Sequence, residues 1–140
     1  MAVEPLVLID LNIILDVLQK RDPFYDTSVQ VLAGVETGLM TGFLAAHSVT
    51  TLFYLIQKDQ SAAAARAAIT ELLQFLQIAP VNQSTIDQAL NLDYQDFEDA
   101  VQMIAALQCK ADYLITRNIS DYQPPLVPVL KPAELVALIE

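Results

Sequence analysis

The chain has 140 residues, which suits one domain, and its 17 acidic and 7 basic residues give a formal net charge of −10. That charge disfavours a non-specific nucleic-acid binder, because such proteins hold phosphates with Lys and Arg. The single cysteine, Cys109, excludes an internal disulfide, and the single histidine, His47, excludes the usual His-rich and Cys/His zinc sites.

Any bound metal must therefore be held by oxygen, which favours a hard ion such as Mg²⁺ or Mn²⁺. No apolar run approaches the roughly 18 residues that a membrane span needs. Asp10 and Asp16 interrupt the apolar N-terminal stretch. Residues Met1–Pro5 hold no Lys or Arg, which is atypical of a signal peptide. We expect a cytoplasmic protein with no membrane contact.

The first half of the chain alternates short apolar runs with helical patterns. Leu6–Ile9 predicts a strand buried on both faces. Apolar residues at helical spacing predict helices around 13–18 and from about 26 to 35. Gly42–Ala45 predicts a second strand, and Ser48 stands where the N-cap of the next helix is expected.

The second half continues the alternation. Ser61 is predicted to cap an alanine-rich helix, and Ser84 is predicted to cap a brief one ending near Leu92. Ile78–Val81 predicts an edge strand, because Pro80 cannot donate to a strand ladder. The remaining expected elements are a long helix over about 96–110, strands at Tyr113–Ile115 and Val127–Leu130, and a terminal helix from Pro132.

This alternation predicts an α/β domain whose mostly parallel sheet is covered on both faces. No internal repeat or linker divides the sequence, so we expect one domain over residues 1–140. The apolar helices at Leu52–Ile56 and Ile69–Leu76 are rich enough in large side chains to leave some exposed, and we expect a homodimer on that ground.

Acidic residues follow the predicted strands at positions that suit a ligand site. Asp10 comes directly after the first strand, and Asp121 lies in the loop after Tyr113–Ile115. Asp99 stands near the start of the long helix. In open parallel sheets, ligands bind beyond the carboxyl ends of the strands. We therefore expect these three segments to meet at one edge of the sheet.

Each acid also has a structural interpretation. Asp96 suits the N-cap of the long helix, and Asp10 could cap the first helix, a role that Asn12 could also fill. Asp99 precedes an apolar stretch, so it is expected near the core, where a carboxylate needs a partner and few cations are available. A metal ion would meet that need. The other aspartates, including Asp16, are expected in turns, caps or solvated faces.

The stretches Leu8–Asp16, Asp96–Ala100 and Tyr113–Tyr122 together resemble the PIN domain, best known in the toxins of bacterial toxin–antitoxin pairs. The resemblance implies a three-layer α/β/α sandwich with a central, mostly parallel four- or five-stranded sheet. It also implies Mg²⁺- or Mn²⁺-dependent cleavage of single-stranded RNA, a protein antitoxin as partner, and pairing with a second copy.

The resemblance assigns roles to particular residues. Asp10, Asp99 and Asp121 are implied as the catalytic residues and as metal ligands, and Asn118 and Asp96 as further ligands. Implied substrate contacts are Arg117, Asn12 and Thr116, and candidate phosphate contacts elsewhere are Lys20, Arg21, Lys58 and Lys110.

Two positions depart from the family pattern. Thr51 stands at or next to a position where the family usually has glutamate, and Asn118 stands where aspartate is common. These changes leave open a catalytically weakened PIN module that binds RNA or a protein partner. A receiver-type phosphoacceptor domain is disfavoured, because the loop from Thr116 lacks the lysine that such domains need.

Overall fold

The computed structural model describes residues 4–139 and is organised around a five-stranded parallel sheet. The strands are β1 (Leu6–Ile9), β2 (Thr41–Ala45), β3 (Leu76–Ala79), β4 (Tyr113–Ile115) and β5 (Val129–Leu130). Their order is β3-β2-β1-β4-β5, and every neighbouring pair is parallel. The predicted α/β class and parallel sheet are confirmed. Residues 1–3 and 140 lie outside the described residues. They belong to the predicted domain over 1–140, and residues 1–3 also belong to the stretch that was compared with a signal peptide.

Seven helices are assigned within the described residues, with a short 3-10 helix at Ile119–Asp121. They are α1 (Leu11–Leu18), α2 (Tyr25–Glu36), α3 (Ala46–Asp59), α4 (Ala62–Leu72), α5 (Gln83–Ala89), α6 (Phe97–Gln108) and α7 (Pro132–Ile139). Helices α1 to α4 and α7 contribute to the core on one face of the sheet, whereas α5 and α6 cover the other. These are the three layers of the predicted sandwich.

Strand β1 explains why both layers are needed. Val7 and Ile9 pack into one core while Leu8 packs into the other, and all three are 0% exposed. Alternate side chains of a strand point to opposite faces, so an uninterrupted apolar strand needs helices on both sides. Gly42 of β2 lets α2 approach closely, because a Cβ there would lie 2.9 Å from Val35 Cγ2.

Two of the predicted helix caps are wrong. Helix α3 begins at Ala46, so Ser48 lies inside its first turn, where its buried hydroxyl contacts Gln102 and not the helix backbone. Helix α5 is capped by Asn82, which forms a capping box with Thr85, and Ser84 lies one residue inside the helix. The cap at Ser61 is confirmed.

The edge strand is also placed differently from the prediction. It runs over Leu76–Ala79, earlier than the predicted Ile78–Val81, because Pro80 ends the strand. Its position at the edge of the sheet is confirmed. Among residues 4–139, no helix combines the length and the apolar character needed to cross a bilayer.

Candidate active site

Asp10 lies where β1 ends, beside the end of β4. Its backbone N–H donates to the Ile115 carbonyl at 2.9 Å, which extends the pairing of the two strands. Its carboxylate caps α1 by accepting from the Asn12 N–H at 3.3 Å. Thr116, the residue after β4, donates its hydroxyl to Asp10 Oδ2 at 2.9 Å. The cap interpretation of Asp10 is therefore correct, and the same bonds fix its carboxylate at the carboxyl edge of the sheet.

Asp99 is held by a second polar network. The Tyr122 hydroxyl donates to Asp99 Oδ1 at 3.1 Å and accepts from Gln102 Nε2 at 2.7 Å. Ser48 donates to the other end of the Gln102 amide at 3.4 Å, which fixes the orientation of that amide. Gln102 also lowers the pKa of Asp10, and the Asp10 charge raises that of Asp99, so the two carboxylates are close enough to influence one another. Gln102 and Tyr122 are both buried.

Burial is the main influence on the pKa values of these carboxylates. Burial raises the pKa of Asp10, although the Thr116 hydrogen bond opposes the shift. Burial and the charge of Asp96, with smaller effects of Asp10 and Asp121, raise the pKa of Asp99 to about 6. Burial and the same two carboxylates, Asp10 and Asp99, raise the pKa of Tyr122, which keeps its hydroxyl a donor.

An acidic recess of about 390 Å³ opens beside Asp99. Its lining residues are Asp93, Gln95, Asp96, Asp99, Ser120, Asp121 and Gln123. Asp96 is the N-cap of α6 and accepts from the N–H groups of Glu98 and Asp99, so the cap interpretation of Asp96 is confirmed. Asp121 ends the 3-10 helix after β4 and is exposed.

The predicted substrate contacts occupy different environments. Thr116 is 0% exposed and its hydroxyl is bonded to Asp10, so the geometry gives it a role in holding that carboxylate. Asn12 is half-buried and reaches Asp10 through its backbone. Asn118 is exposed, and its N–H donates to Thr116 Oγ1. Thr51 lies one helical turn after Ser48 and so on nearly the same side of α3.

Arg117 pairs with a carboxylate outside this network. Its Nε lies 3.0 Å from Asp16 Oδ2, at an angle that makes the contact an ion pair and not a hydrogen bond. Its guanidinium also stacks 3.9 Å above the centre of the Phe24 ring. Asp16 is 0% exposed and accepts a hydrogen bond from Ser28, so the prediction of a turn, cap or solvated face was wrong for Asp16.

Sequence reasoning missed Gln102, Ser48 and the hydroxyl of Tyr122 as parts of the site. Gln102 had a detectable signal: it is the one polar residue in the run Ala100–Ala106, and it lies three positions after Asp99 on the same helix face. Tyr122 follows Asp121 at the end of the stretch Tyr113–Tyr122, but an aromatic residue there is equally consistent with core packing.

The residues present fit a hard divalent ion held by few protein ligands. Within residues 4–139, no group of three or more His, Cys, Asp and Glu side chains lies close enough to form a metal cluster. Mg²⁺, however, is commonly held by one or two carboxylates and completes its shell with water. Asp10 and Asp99 would supply those carboxylates. Burial is the main cause of both raised pKa values, and at Asp99 the charges of neighbouring aspartates add repulsion that a cation would relieve.

Comparisons with known proteins identify the family. A PIN domain family model matches residues 6–120. A protein named ribonuclease VapC1, from Aquifex aeolicus (strain VF5), is 26% identical over 125 residues, which cover 86% of each chain.

Two solved structures share the fold. A toxin–antitoxin complex from Klebsiella pneumoniae superposes with a TM-score of 0.69 at 21% identity, covering 90% of this chain and 97% of that one. VapBC2 from Rickettsia felis, bound to a DNA fragment from its promoter, gives 0.65 at 15% identity, with 90% and 98% covered. The family match spans most of the described residues and includes both Asp10 and Asp99, so the chain belongs to the PIN domain family.

Proposed function

We propose that this protein is a metal-dependent endoribonuclease that cleaves single-stranded RNA, and that it is the toxin-like member of a toxin–antitoxin pair. The observation that carries the proposal is the pair of neighbouring carboxylates, Asp10 and Asp99, at the carboxyl edge of the sheet, where the charge of Asp10 raises the pKa of Asp99. In the part of the chain described, neither forms an ion pair with Lys or Arg. The ribonuclease name of the Aquifex relative and the toxin–antitoxin complexes that share the fold support the same function.

Asp10 and Asp99 would hold a Mg²⁺ or Mn²⁺ ion, with Asp121 and Asp96 beside it in the acidic recess and Asn118 on the neighbouring loop. When bound, such an ion supplies positive charge at the phosphodiester and lowers the pKa of water, so no nucleophilic side chain is required. Thr116 and Tyr122 each donate to one carboxylate oxygen, which fixes the orientations of Asp10 and Asp99. Arg117 and Asn12 would contact the RNA strand near the ion.

Cleavage of a labelled single-stranded RNA tests the proposal. We expect wild type to cut it with Mg²⁺ or Mn²⁺ and to stop when EDTA is added. Asp10→Asn and Asp99→Asn each remove a ligand, and we expect a loss of about a hundredfold or more in rate. Asp87→Asn, at an exposed carboxylate in α5, is the matched control and should cut normally. Cleavage that persists in Asp10→Asn or in EDTA would come from a contaminant and count against the proposal.

The alternative function is that of a catalytically weakened PIN module, which would bind RNA or a protein partner without cutting RNA. It is favoured by Thr51 at the usual glutamate position and by the lack of a ready cluster of three acidic side chains among the described residues. RNA that is bound but left intact in Mn²⁺ would support the module. Thr51→Glu should then restore cleavage, because it returns a carboxylate to the face of α3 that carries Ser48.

We further propose that the chain acts as one domain in the cytoplasm, that it pairs with a second copy, and that an antitoxin neutralises it. Strand β5 and helix α7 lie beyond the matched segment, yet β5 pairs with β4 and Leu135 of α7 is fully buried, which supports a single unit. Tyr54 on α3 is 60% exposed, and Leu73 at the end of α4 is 43% exposed. Large apolar side chains that remain exposed can pack against a second copy, which supports a dimer. Light scattering of the pure protein tests pairing, and growth arrest on expression, relieved by a neighbouring gene, tests the antitoxin.

A further inference from the structure

A small recess lies on the other side of the loop that carries Thr116 and Asn118. Its volume is about 200 Å³, and it is lined by Phe24, Thr27, Arg117, Lys131, Pro132 and Ala133. We refer to it as the basic recess. Pockets that enclose a whole small molecule usually have about 300–1,000 Å³. The basic recess is therefore better suited to contact one part of a longer ligand.

The Arg117 side chain is fixed in this recess. Asp16 pairs with Nε, and Phe24 stacks against the guanidinium plane, so the group is held from two directions. Within the described residues, the ion pair with Asp16 is made through Nε and not through the terminal nitrogens of the guanidinium. They remain available to an anion, and the fixed orientation lowers the entropy cost of binding one.

Positive charge is concentrated here in a protein that is otherwise strongly acidic. Lys131 is exposed and lines the recess together with Arg117. Arg21 begins the turn that leads to Phe24, and its charge lowers the pKa of Asp16. Two of the 7 basic residues in the sequence thus line one site and a third lies near it, whereas the net charge of the chain is −10. The nearby acids are Asp16, the Glu134 carboxylate, which accepts from the Lys131 N–H, and Asp22 and Asp26, which flank Phe24 in the sequence.

The basic recess and the acidic recess flank the same loop. Thr116 binds Asp10 on one side, and the next residue, Arg117, enters the basic recess on the other. An acidic recess repels phosphates that are not neutralised by a cation. A polyanionic strand that reaches the carboxylates is therefore held most favourably where it passes over the basic recess.

We propose that the basic recess binds the RNA strand next to the nucleotide that is cut, with Lys131 and Arg117 on a backbone phosphate and Phe24 against the adjoining base. This inference rests on the proposed ribonuclease function and adds a subsite to it. Phe24 is 37% exposed although Arg117 covers part of its ring, which leaves surface for a base. Aromatic side chains that stack on bases bind single strands with little sequence preference.

The test uses fluorescence anisotropy with a labelled single-stranded oligouridine RNA and the full-length protein in EDTA, so that no strand is cut. We expect Lys131→Gln to weaken binding and to reduce the slope of log Kd against log salt by about 0.7, the value for one phosphate contact on a single strand. We expect Phe24→Leu to weaken binding by about fivefold or more.

Two matched controls exclude trivial causes. Arg66→Gln removes one exposed basic side chain from α4, outside the lining of the recess, and should leave affinity and salt slope unchanged. Phe24→Tyr keeps the ring and should bind as wild type does. Lys131 is an exposed side chain, so its replacement should not change the melting temperature and isolates binding from folding.

The outcomes separate this inference from the nuclease proposal. Equal affinity and salt slope in all variants would overturn the subsite, whether or not the protein cuts RNA. RNA that is bound through the recess but not cut with Mn²⁺ would support the subsite and overturn the nuclease function. No RNA binding by wild type in EDTA would overturn the subsite, whereas no cleavage with Mg²⁺ or Mn²⁺ would overturn the nuclease function. If Lys131→Gln loses binding of a labelled acidic peptide and not of RNA, the recess belongs to a protein partner and the inference is wrong.

Discussion

The environment of Asp99 disfavours the negative charge that its side chain carries at neutral pH. Burial and the charge of Asp96 raise its pKa from 3.8 to about 6. A pKa that is higher in the folded than in the unfolded chain means that the native state binds more protons between these values. Ionisation of Asp99 therefore lowers stability as pH rises from about 4 to 6. The cost is complete above pH 6 and absent below about 4.

We predict that Asp99→Asn stabilises the metal-free protein at pH 7.5 and not at pH 4. Solvent reaches this carboxylate and screens the effect, so we expect a gain of about 1 kcal/mol at the higher pH. Urea unfolding in EDTA at both pH values measures it. Asp87→Asn, at an exposed carboxylate, should change neither value. An equal gain at both pH values would contradict the assignment of the cost to ionised Asp99.

Tyr122 is the residue through which Asp99 is connected to Gln102. We predict that Tyr122→Phe costs about 2 kcal/mol, because it leaves the buried Gln102 amide without its acceptor. It should also raise the pKa of Asp99 further, since the hydroxyl favours the ionised carboxylate. Urea unfolding and a carboxyl-carbon NMR titration report the two effects. Tyr54→Phe, at a residue 60% exposed, should stay within about 0.5 kcal/mol of wild type.

At the scale of elements, the Asp16–Arg117 ion pair joins α1 to the loop that follows β4. Asp16 is fully buried and the Arg117 side chain is 21% exposed. Burial raises the pKa of Asp16 and the Arg117 charge opposes that shift, so the two side chains depend on one another. The loop held in this way carries Thr116 and Asn118.

We predict that Asp16→Asn destabilises the protein by about 3 kcal/mol, because it leaves Arg117 without its counter-ion in a mostly buried place. The double variant Asp16→Leu/Arg117→Met leaves no unpaired charge and should recover part of the loss. Thermal or urea unfolding of both variants measures the recovery. If the double variant is less stable than Asp16→Asn, the ion pair is not the source of the cost.

The N-terminal cap of α5 can be tested by comparing variants of Asn82 and Ser84. We predict that Asn82→Ala costs about 1 kcal/mol, because it removes the capping box, whereas Ser84→Ala costs only a few tenths. Ser84 is exposed and its hydroxyl binds only side-chain amides. Urea unfolding of the two variants decides between the caps, and a larger cost for Ser84→Ala would contradict the observed capping box.

The sequence allowed some elements to be predicted because their signals are local. Leu6–Ile9 and Tyr113–Ile115 are uninterrupted apolar runs, and both are strands as predicted. The caps at Ser48 and Ser84 were mispredicted because several capping residues stand close together, and tertiary contacts choose between them. The same limit applies to Asp16, whose partner Arg117 is distant in sequence, and to the Ser48–Gln102 contact.

At the scale of the whole molecule, a net charge of −10 coexists with carboxylates gathered at one edge of the sheet. Burial and the repulsion between these carboxylates destabilise the metal-free fold, and both contribute to the raised pKa of Asp99. A cation that binds there stabilises the native state by mass action. The overall stability should therefore depend on divalent metal.

We predict that Mn²⁺ at ten times its Kd stabilises wild type by about 1.4 kcal/mol, which raises the melting temperature by a few degrees. Asp10→Asn should lose this shift and Asp87→Asn should keep it. Differential scanning fluorimetry at matched ionic strength separates site binding from general screening. A shift of equal size in Asp10→Asn would place the ion elsewhere.

The strand order also fixes when the site is assembled during synthesis. Of the five strands described, β1 is made first and lies at the centre of the sheet, whereas its partner β4 is made only after β2 and β3. Pairing between such distant segments waits until both have left the ribosome. Asp10 and Asp99 are therefore made before Thr116 and Tyr122, the residues that hold them in place. On the proposed function, the growing chain has no assembled cleavage site until β4 and the loop after it have been made.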